Sequence, residues 1–267
     1  MVLTNPNKWA LVTGASSGIG EAFVKRFARE GWNVILVARS VDKLKLIAAT
    51  LRDIYPVQMK VIQADLSAPE SCKKIYDELQ VERIQVSALV NNAGFGAVGS
   101  FLWVDRKRQL EMIDLNVKAL LELAHLFLPG MVERKDGILI NVSSTASFQA
   151  IPYFSTYCAT KAFVTLFTEA LWAEYRKDGI RVMNLCPGGT KTNFGRVAGK
   201  AETVADWRHM QTSDQVVDHA FKALTRDTPT VVTNIFDSIL CFFERFFPRK
   251  WTVLITQAVT KHMGYHQ

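Results

Sequence analysis

Short runs of β-branched and aliphatic residues alternate along this chain with longer stretches of helical periodicity, and that alternation constrains the fold more than any other feature. "WALVT" precedes a helical pattern from about Ile19, "NVILVA" one from about Val41, and "MKVIQA" one after Leu66. "SALVN" leads into a long pattern from Asp105 to Phe127, "GILINVSS" into one from Tyr153 to Arg176, and "IRVMNLC" follows. Strands separated by helical crossovers pair in parallel, with helices on both faces. These strands are near-continuous apolar runs, as a sheet covered on both sides requires. The expectation is an α/β fold: a doubly wound parallel sheet of about seven strands.

No repeat, low-complexity tract or Pro/Gly/Ser linker divides the 267 residues, so a single domain over 1–267 is expected. The alternation fails over 188–213, "GGTKTNFGRVAGKAETVADWRHMQTS". A long irregular insertion of this kind reads as a lid or binding loop. Beyond it lie a helical pattern from Asp214 to Thr225, a short strand "TVVT", and an aromatic-rich extension over 234–267 containing "FDSILCFFERFFPRKW".

The formal charge is +7, but Lys and Arg are scattered among acids rather than gathered in a block. That pattern favours a small anionic ligand over a nucleic-acid partner. Cys72, Cys158, Cys186 and Cys241 are far apart, with no CxxC and no Cys/His spacing suited to a metal. Reduced thiols in the cytoplasm and no metal are therefore expected. The first strand begins within nine residues, which leaves no room for a signal peptide. No apolar run approaches the ~20 residues of a membrane span.

"TGASSGIG", between the first strand and the first helix, places Gly14, Gly18 and Gly20 in a turn. Glycines there let the backbone approach a ligand closely, and helix N-terminal amides favour a pyrophosphate. The second strand ends "LVARS", where an acid would receive the ribose 2′-hydroxyl of NAD. Arg39 stands there instead, and its guanidinium can fork onto a 2′-phosphate, favouring NADP. Lys43 is a weaker second candidate, and Ser16 and Ser17 add hydroxyl donors. Farther on, "YCATK" sets Tyr157 and Lys161 one helical turn apart, roughly 6 Å along the axis. A cation so placed would stabilise phenolate and lower the phenol pKa.

Together these motifs resemble the short-chain dehydrogenase/reductase family. "TGASSGIG" matches its glycine turn, "NNAG" at 91–94 its signature after the fourth strand, and "PGGTKT" its segment after the sixth. Asn116, Ser144, Tyr157 and Lys161 fall at its catalytic spacings, and the similarity covers about 8–232. The resemblance implies a Rossmann fold, an NADP cofactor, and reversible carbonyl reduction or alcohol oxidation. It implies Tyr157 as general acid/base, Ser144 as donor to the substrate oxygen, with Ser143 the rival, and Lys161 on the nicotinamide ribose. Asn116 would hold a water linking Lys161 to solvent. Gly14, Ser16, Ser17, Gly18, Ile19 and Gly20 would follow the pyrophosphate, and Asp65 and Leu66 would meet the adenine. Asn92, Ala93 and Gly94 would pass under the adenosine ribose. Pro187, Gly188 and Thr190 would wall the nicotinamide, and Thr192 would reach its carboxamide or the pyrophosphate. Gly189, Thr190 and Ser147 depart from the family pattern near the substrate.

Phe95, Phe148, Tyr153, Phe154, Phe194, Trp207 and Met210 are the expected cleft lining, suited to an apolar or aromatic ketone or aldehyde. "NNAGFGAVGSF" and the tail resemble the branch close to ketoacyl and ketosteroid reductases. The alternative from another class is an NADP-binding redox sensor without chemistry. The tail's aromatic and basic residues suit either a membrane surface or packing on the domain or a sister subunit, and packing is favoured. Phe163, Phe167 and Trp172 share helical spacing on a helix that family members pair in homodimers or homotetramers.

Overall fold

Seven strands form one parallel sheet in the order β3-β2-β1-β4-β5-β6-β7. They are β1 (Trp9–Thr13), β2 (Asn33–Ala38), β3 (Met59–Gln63), β4 (Val86–Asn91), β5 (Gly137–Val142), β6 (Ile180–Cys186) and β7 (Thr230–Val232). The chain doubles back between β1 and β4, and ligands of open α/β sheets bind at the carboxyl ends of strands at such a reversal. The computed structural model describes residues 8–199 and 210–265.

Strand side chains alternate between two cores. Ala10, Val12, Val34 and Leu36 face one core with Phe23 and Phe27 of α1 (Gly18–Arg29) and Leu44 of α2 (Val41–Ile54). Val216 and Phe221 of α8 (Ser213–Ala223) complete that layer. Leu11, Ile35, Val37 and Leu89 face the other core, with Ile75 and Leu79 of α3 (Ser71–Val81) and Leu123 and Phe127 of α5 (Leu120–Arg134). Two apolar faces per strand explain why the segments read as continuous apolar runs.

α4 (Arg106–Ile113) runs through a π-helical turn at Asp114–Ala119 into α5. This stretch, Arg106–Arg134, is long and apolar enough to cross a membrane by length and composition. The sequence expectation that no segment approaches a span is corrected on that count. The apolar residues responsible include Leu123, Phe127 and Met131, which are buried in the second core.

The catalytic-motif helix, α6 (Ser155–Tyr175), is keyed to the sheet by buried polar groups. Asn91, Asn141 and Asn184 are register neighbours on β4, β5 and β6. Asn91 Nδ2 donates to Asn141 Oδ1 at 2.9 Å, and Asn141 Nδ2 to Thr168 Oγ1 at 2.9 Å. Ser143 Oγ donates to Lys161 O at 2.9 Å. Buried bonds of this kind fix register as well as adding stability, because each has no water to fall back on. On α6, Phe167 and Trp172 pack against this domain's own second core, and Trp172 Nε1 donates to Asp227 at 2.9 Å.

The insertion after β6 contains α7 (Phe194–Val197), and its two ends are tied together. Lys191 N donates to Gln211 O at 2.9 Å, and Gln211 N to Gly189 O at 3.0 Å. The chain ends in α9 (Ile235–Phe243) and α10 (Arg249–His262), with Thr256 Oγ1 donating to Ala150 O at 3.0 Å.

Candidate active site

A cavity of about 1150 Å³ lies at the carboxyl ends of the strands, and the glycine turn, the catalytic-motif residues and the C-terminal extension all line it. On its nucleotide side Gly14 and Gly18 have φ of 64° and 59°, the left-handed region that favours glycine. A Cβ on Gly14 would come within 2.8 Å of Asn92 Nδ2, and one on Gly18 within 3.0 Å of Thr192 Cγ2. Gly20 sits beneath the cavity rather than on its wall, where a Cβ would run into Gly14 O. Thr13, which sequence reasoning passed over, joins β1 to the "NNAG" segment. Its Oγ1 accepts from Asn92 N and Ala93 N at 2.9 Å each. The Thr of "TGASSGIG" was the available signal.

Ser17 is the N-cap of α1, yet its side chain makes no cap bond, and Ser16, Ile19, Arg39, Asp65 and Leu66 all line the cavity. Arg39 is exposed at the end of β2 and lies near enough to Asp65 to help lower its pKa, after the larger effect of the Ser67 hydrogen bond. Asp65 Oδ1 is engaged by Ser67, accepting from N at 3.0 Å and Oγ at 2.6 Å. A glycine cradle at a helix N-terminus, with hydroxyls and a guanidinium alongside, fits a dinucleotide carrying an extra phosphate. Asn92, Ala93, Gly94, Pro187, Gly188, Thr190 and Thr192 also border this space. Thr190 Oγ1 is turned to Gly188 O at 3.0 Å, and Thr192 Oγ1 accepts from Phe194 N at 3.2 Å.

Tyr157, Ser144 and Lys161 converge on the cavity floor. Phe154 stacks on the Tyr157 ring with centroids 4.4 Å apart, and Phe194 tilts against it at 5.3 Å. Burial pushes the phenol pKa up, and a hydrogen bond with Ser144 opposes that in part. Lys161 Nζ lies 5.8 Å from the Tyr157 ring centroid and donates to Val142 O at 2.8 Å. Burial brings its pKa down to about 8. Desolvation favours the neutral form of both groups.

Ser143, the rival to Ser144, also borders the cavity, but its hydroxyl is engaged elsewhere. Its hydroxyl is spent on Lys161 O and Thr165 Oγ1, both at 2.9 Å. Asn116 lies outside the lining, in the π-helical turn. Its Oδ1 accepts from Phe95 N at 3.1 Å, and its Nδ2 donates to Phe95 O at 3.0 Å and Thr160 Oγ1 at 3.1 Å. It clamps the loop after β4 to α6. A single-turn π-bulge at such a residue is a frequent functional device. A Cβ on Gly94 would lie 2.9 Å from Asn116 Oδ1 and 3.5 Å from Lys161 Nζ.

Of the expected substrate lining, Phe95, Phe154, Phe194 and Met210 border the cavity. Phe148 and Tyr153 do not, which corrects the expectation for both. Phe148 ends the short helical turn Thr145–Ser147, and Tyr153, at φ 65°, uses its carbonyl to accept from Gly99 N at 2.9 Å. Both are committed to backbone turns that lead into α6. Trp207 lies outside the described residues. The wall that sequence reasoning missed is the tail itself: Asp237, Cys241 and Glu244 from α9 and its end, and Phe247, Ile255 and Val259 beyond. Burial raises the pKa of Asp237, and that of Glu244 to about 7. The spacing of Asp237, Cys241 and Glu244 on one helical face was the signal available.

The family model for "short chain dehydrogenase" matches residues 8–203. A very-long-chain 3-oxoacyl-CoA reductase from Anas platyrhynchos is 36% identical over 196 residues, 71% of this chain and 62% of that protein. The chain thus spans less than two thirds of that relative's length. A short-chain dehydrogenase from Sphingobium yanoikuyae solved in complex with NADPH is 32% identical, with a TM-score of 0.80 over 90% of this chain and 94% of that one. A 7beta-hydroxysteroid dehydrogenase is 26% identical, with a TM-score of 0.86 over 96% of this chain and 99% of that one. The parallel sheet, the glycine turn and the Ser, Tyr and Lys set on the cavity accompany a family match over most of the chain, which belongs to the short-chain dehydrogenase family.

Proposed function

We propose that the protein is an NADPH-dependent reductase of bulky apolar ketones, with the keto groups of steroids or of 3-oxoacyl chains as the favoured substrate classes. One observation carries the reading: Tyr157, Ser144 and Lys161 lie on the floor of a cavity bordered by the glycine turn on one side and apolar tail residues on the other. The similarity to a 3-oxoacyl-CoA reductase and to a hydroxysteroid dehydrogenase supports the substrate classes. Arg39 at the end of β2 supports NADPH over NADH, as does the likeness to an NADPH complex.

Bound NADPH supplies the hydride. The chain's own part is to hold the carbonyl, deliver a proton to its oxygen and keep bulk water away. Burial keeps Tyr157 in its neutral form, which is the form a general acid needs in the reducing direction. Ser144, hydrogen-bonded to that phenol, is placed to donate to the same carbonyl oxygen. At pH 7 Lys161, with a pKa of about 8, is mostly charged, so its field stabilises the phenolate once the proton has left. Phe154 and Phe194 hold the phenol ring against rotation. A cytoplasmic setting and a homo-oligomer belong to the same proposal. The exposed Leu110, Ile113, Leu121 and Leu166 on α4 to α6 supply an apolar face for pairing.

The test is spectrophotometric oxidation of NADPH, repeated with NADH, across ketosteroids, 3-oxoacyl thioesters, small acyclic ketones and aldehydes. Turnover greatest on the bulky ketones, with NADPH preferred, is the expected result. No turnover on any of them would leave a nucleotide-binding sensor as the better reading.

A further inference from the structure

The extension that walls the cavity also carries a large exposed apolar surface. Phe236, Phe242, Phe246 and Trp251 are 65%, 55%, 70% and 58% exposed. The rings of Phe242, Phe243 and Phe246 form one cluster, with centroids 5.6 to 6.5 Å apart. Contiguous exposed aromatics on a domain surface mark an interaction site.

Charge on the extension is sorted by side. Its only acids, Asp237 and Glu244, line the cavity, whereas Arg245, Arg249, Lys250 and Lys261 are exposed. The exposed side therefore combines aromatic rings with four cations, against one half-buried acid, Glu244, near Arg249. Such a surface suits the interface of an anionic bilayer, where rings enter the headgroup boundary and cations meet lipid phosphates. A second copy of the chain suits it less. A two-fold contact sets the same patch against itself, and here that would bring the four cations of each copy together.

We infer that α9, the turn at Glu244–Phe246 and α10 form a docking surface for anionic membrane lipid, and that the substrate cavity opens onto that surface. Phe243, Phe247, Ile255 and Val259 border the cavity while remaining 55%, 58%, 57% and 50% exposed, so the cavity wall is continuous with the outer patch. An apolar ketone dissolved in the bilayer reaches Tyr157 without crossing water. That last step rests on the reductase reading above, whereas the docking does not.

Vesicle flotation of the full chain at low salt tests the docking, comparing phosphatidylcholine alone with phosphatidylcholine containing phosphatidylserine. The expected result is partition onto the anionic vesicles and little onto the neutral ones. Changing Arg245→Gln together with Lys250→Gln should lower partition about thirtyfold, at about fivefold for each cation lost. Changing Phe246→Ser together with Trp251→Ser should abolish flotation. None of these four residues borders the cavity, so turnover of a small water-soluble ketone should be unchanged in both variants. That measurement scores the reductase reading separately. Vesicle binding without any turnover would sustain the docking and remove the substrate route. Failure of the parent chain to float, indifference to phosphatidylserine, or flotation of both variants equal to that of the parent would each overturn the docking. Loss of self-association in the Phe246→Ser, Trp251→Ser variant, with no flotation of the parent, would give the patch to a second copy instead.

Discussion

On one side of the cavity Gly14 and Gly18 hold left-handed backbone, and a Cβ on either would approach Asn92 or Thr192 to within about 3 Å. On the other side the wall is formed by residues of α9, the turn after it and α10. The first region is specified by what the backbone will tolerate, so few substitutions survive there and the pattern is local in sequence. The second is specified by which face of a helix turns inward, so many residue types would serve. A dinucleotide site built the first way can be shared by proteins with different substrates. A wall built the second way can change without disturbing it.

Tyr157 stands at the seam of the two regions, and its substitution separates them most sharply. Tyr157→Phe keeps the ring stacked between Phe154 and Phe194 but removes the proton donor. Reduction of a bulky ketone should fall about 10²- to 10⁴-fold in kcat. NADPH affinity, measured by fluorescence titration, should be unchanged. Retained turnover would detach the chemistry from this residue.

Arg39 tests the nucleotide side by itself. A charge-assisted bond to a 2′-phosphate contributes about 1.5 to 3 kcal/mol. Arg39→Ala should therefore weaken NADPH binding by about ten- to a hundredfold and leave NADH binding unaffected. Equal loss of both cofactors would mean that the guanidinium supports the loop rather than reading the phosphate. The kcat for reduction at saturating NADPH should not move, because Arg39 lies on the nucleotide side, away from the carbonyl.

How much of this was legible in the sequence follows the same division. The seven strands and the order of the motifs could be read from apolar runs and glycine spacing, because sheet burial and left-handed backbone each leave a short-range pattern. Spacing favours Ser144 over Ser143, and only the structure adds that the Ser143 hydroxyl is engaged by α6. What could not be read was tertiary. Phe148 and Tyr153 are aromatic and close to the catalytic helix in sequence, but turn geometry takes them off the wall. Asp237, Cys241 and Glu244 reach the cavity only because the C-terminal segment folds back across more than a hundred residues, to where Thr256 meets Ala150. The burial of Tyr157 and Lys161 is tertiary in the same sense: spacing reveals a neighbouring cation but not the desolvation of both groups.

Glu244 sharpens the comparison through the smallest effect. Its carboxyl borders the cavity, and burial raises its pKa to about 7 from an ordinary 4.5, with Arg249 opposing. A carboxyl whose folded pKa is raised contributes stability below its ordinary value and loses it as pH climbs through the folded one. As pH rises through about 7, then, ionising Glu244 places a growing charge beside an apolar wall. An apolar ketone loses affinity for that wall as the charge develops, so its KM should rise a few-fold between pH 6 and 8, on the order of one pKa-unit effect or less. In Glu244→Gln the rise should vanish while the NADPH affinity profile stays that of the parent chain, since the nucleotide turn is on the far side of the cavity. A KM profile identical in parent and variant would mean that the tail wall does not touch the substrate, and the two regions would no longer share one ligand space.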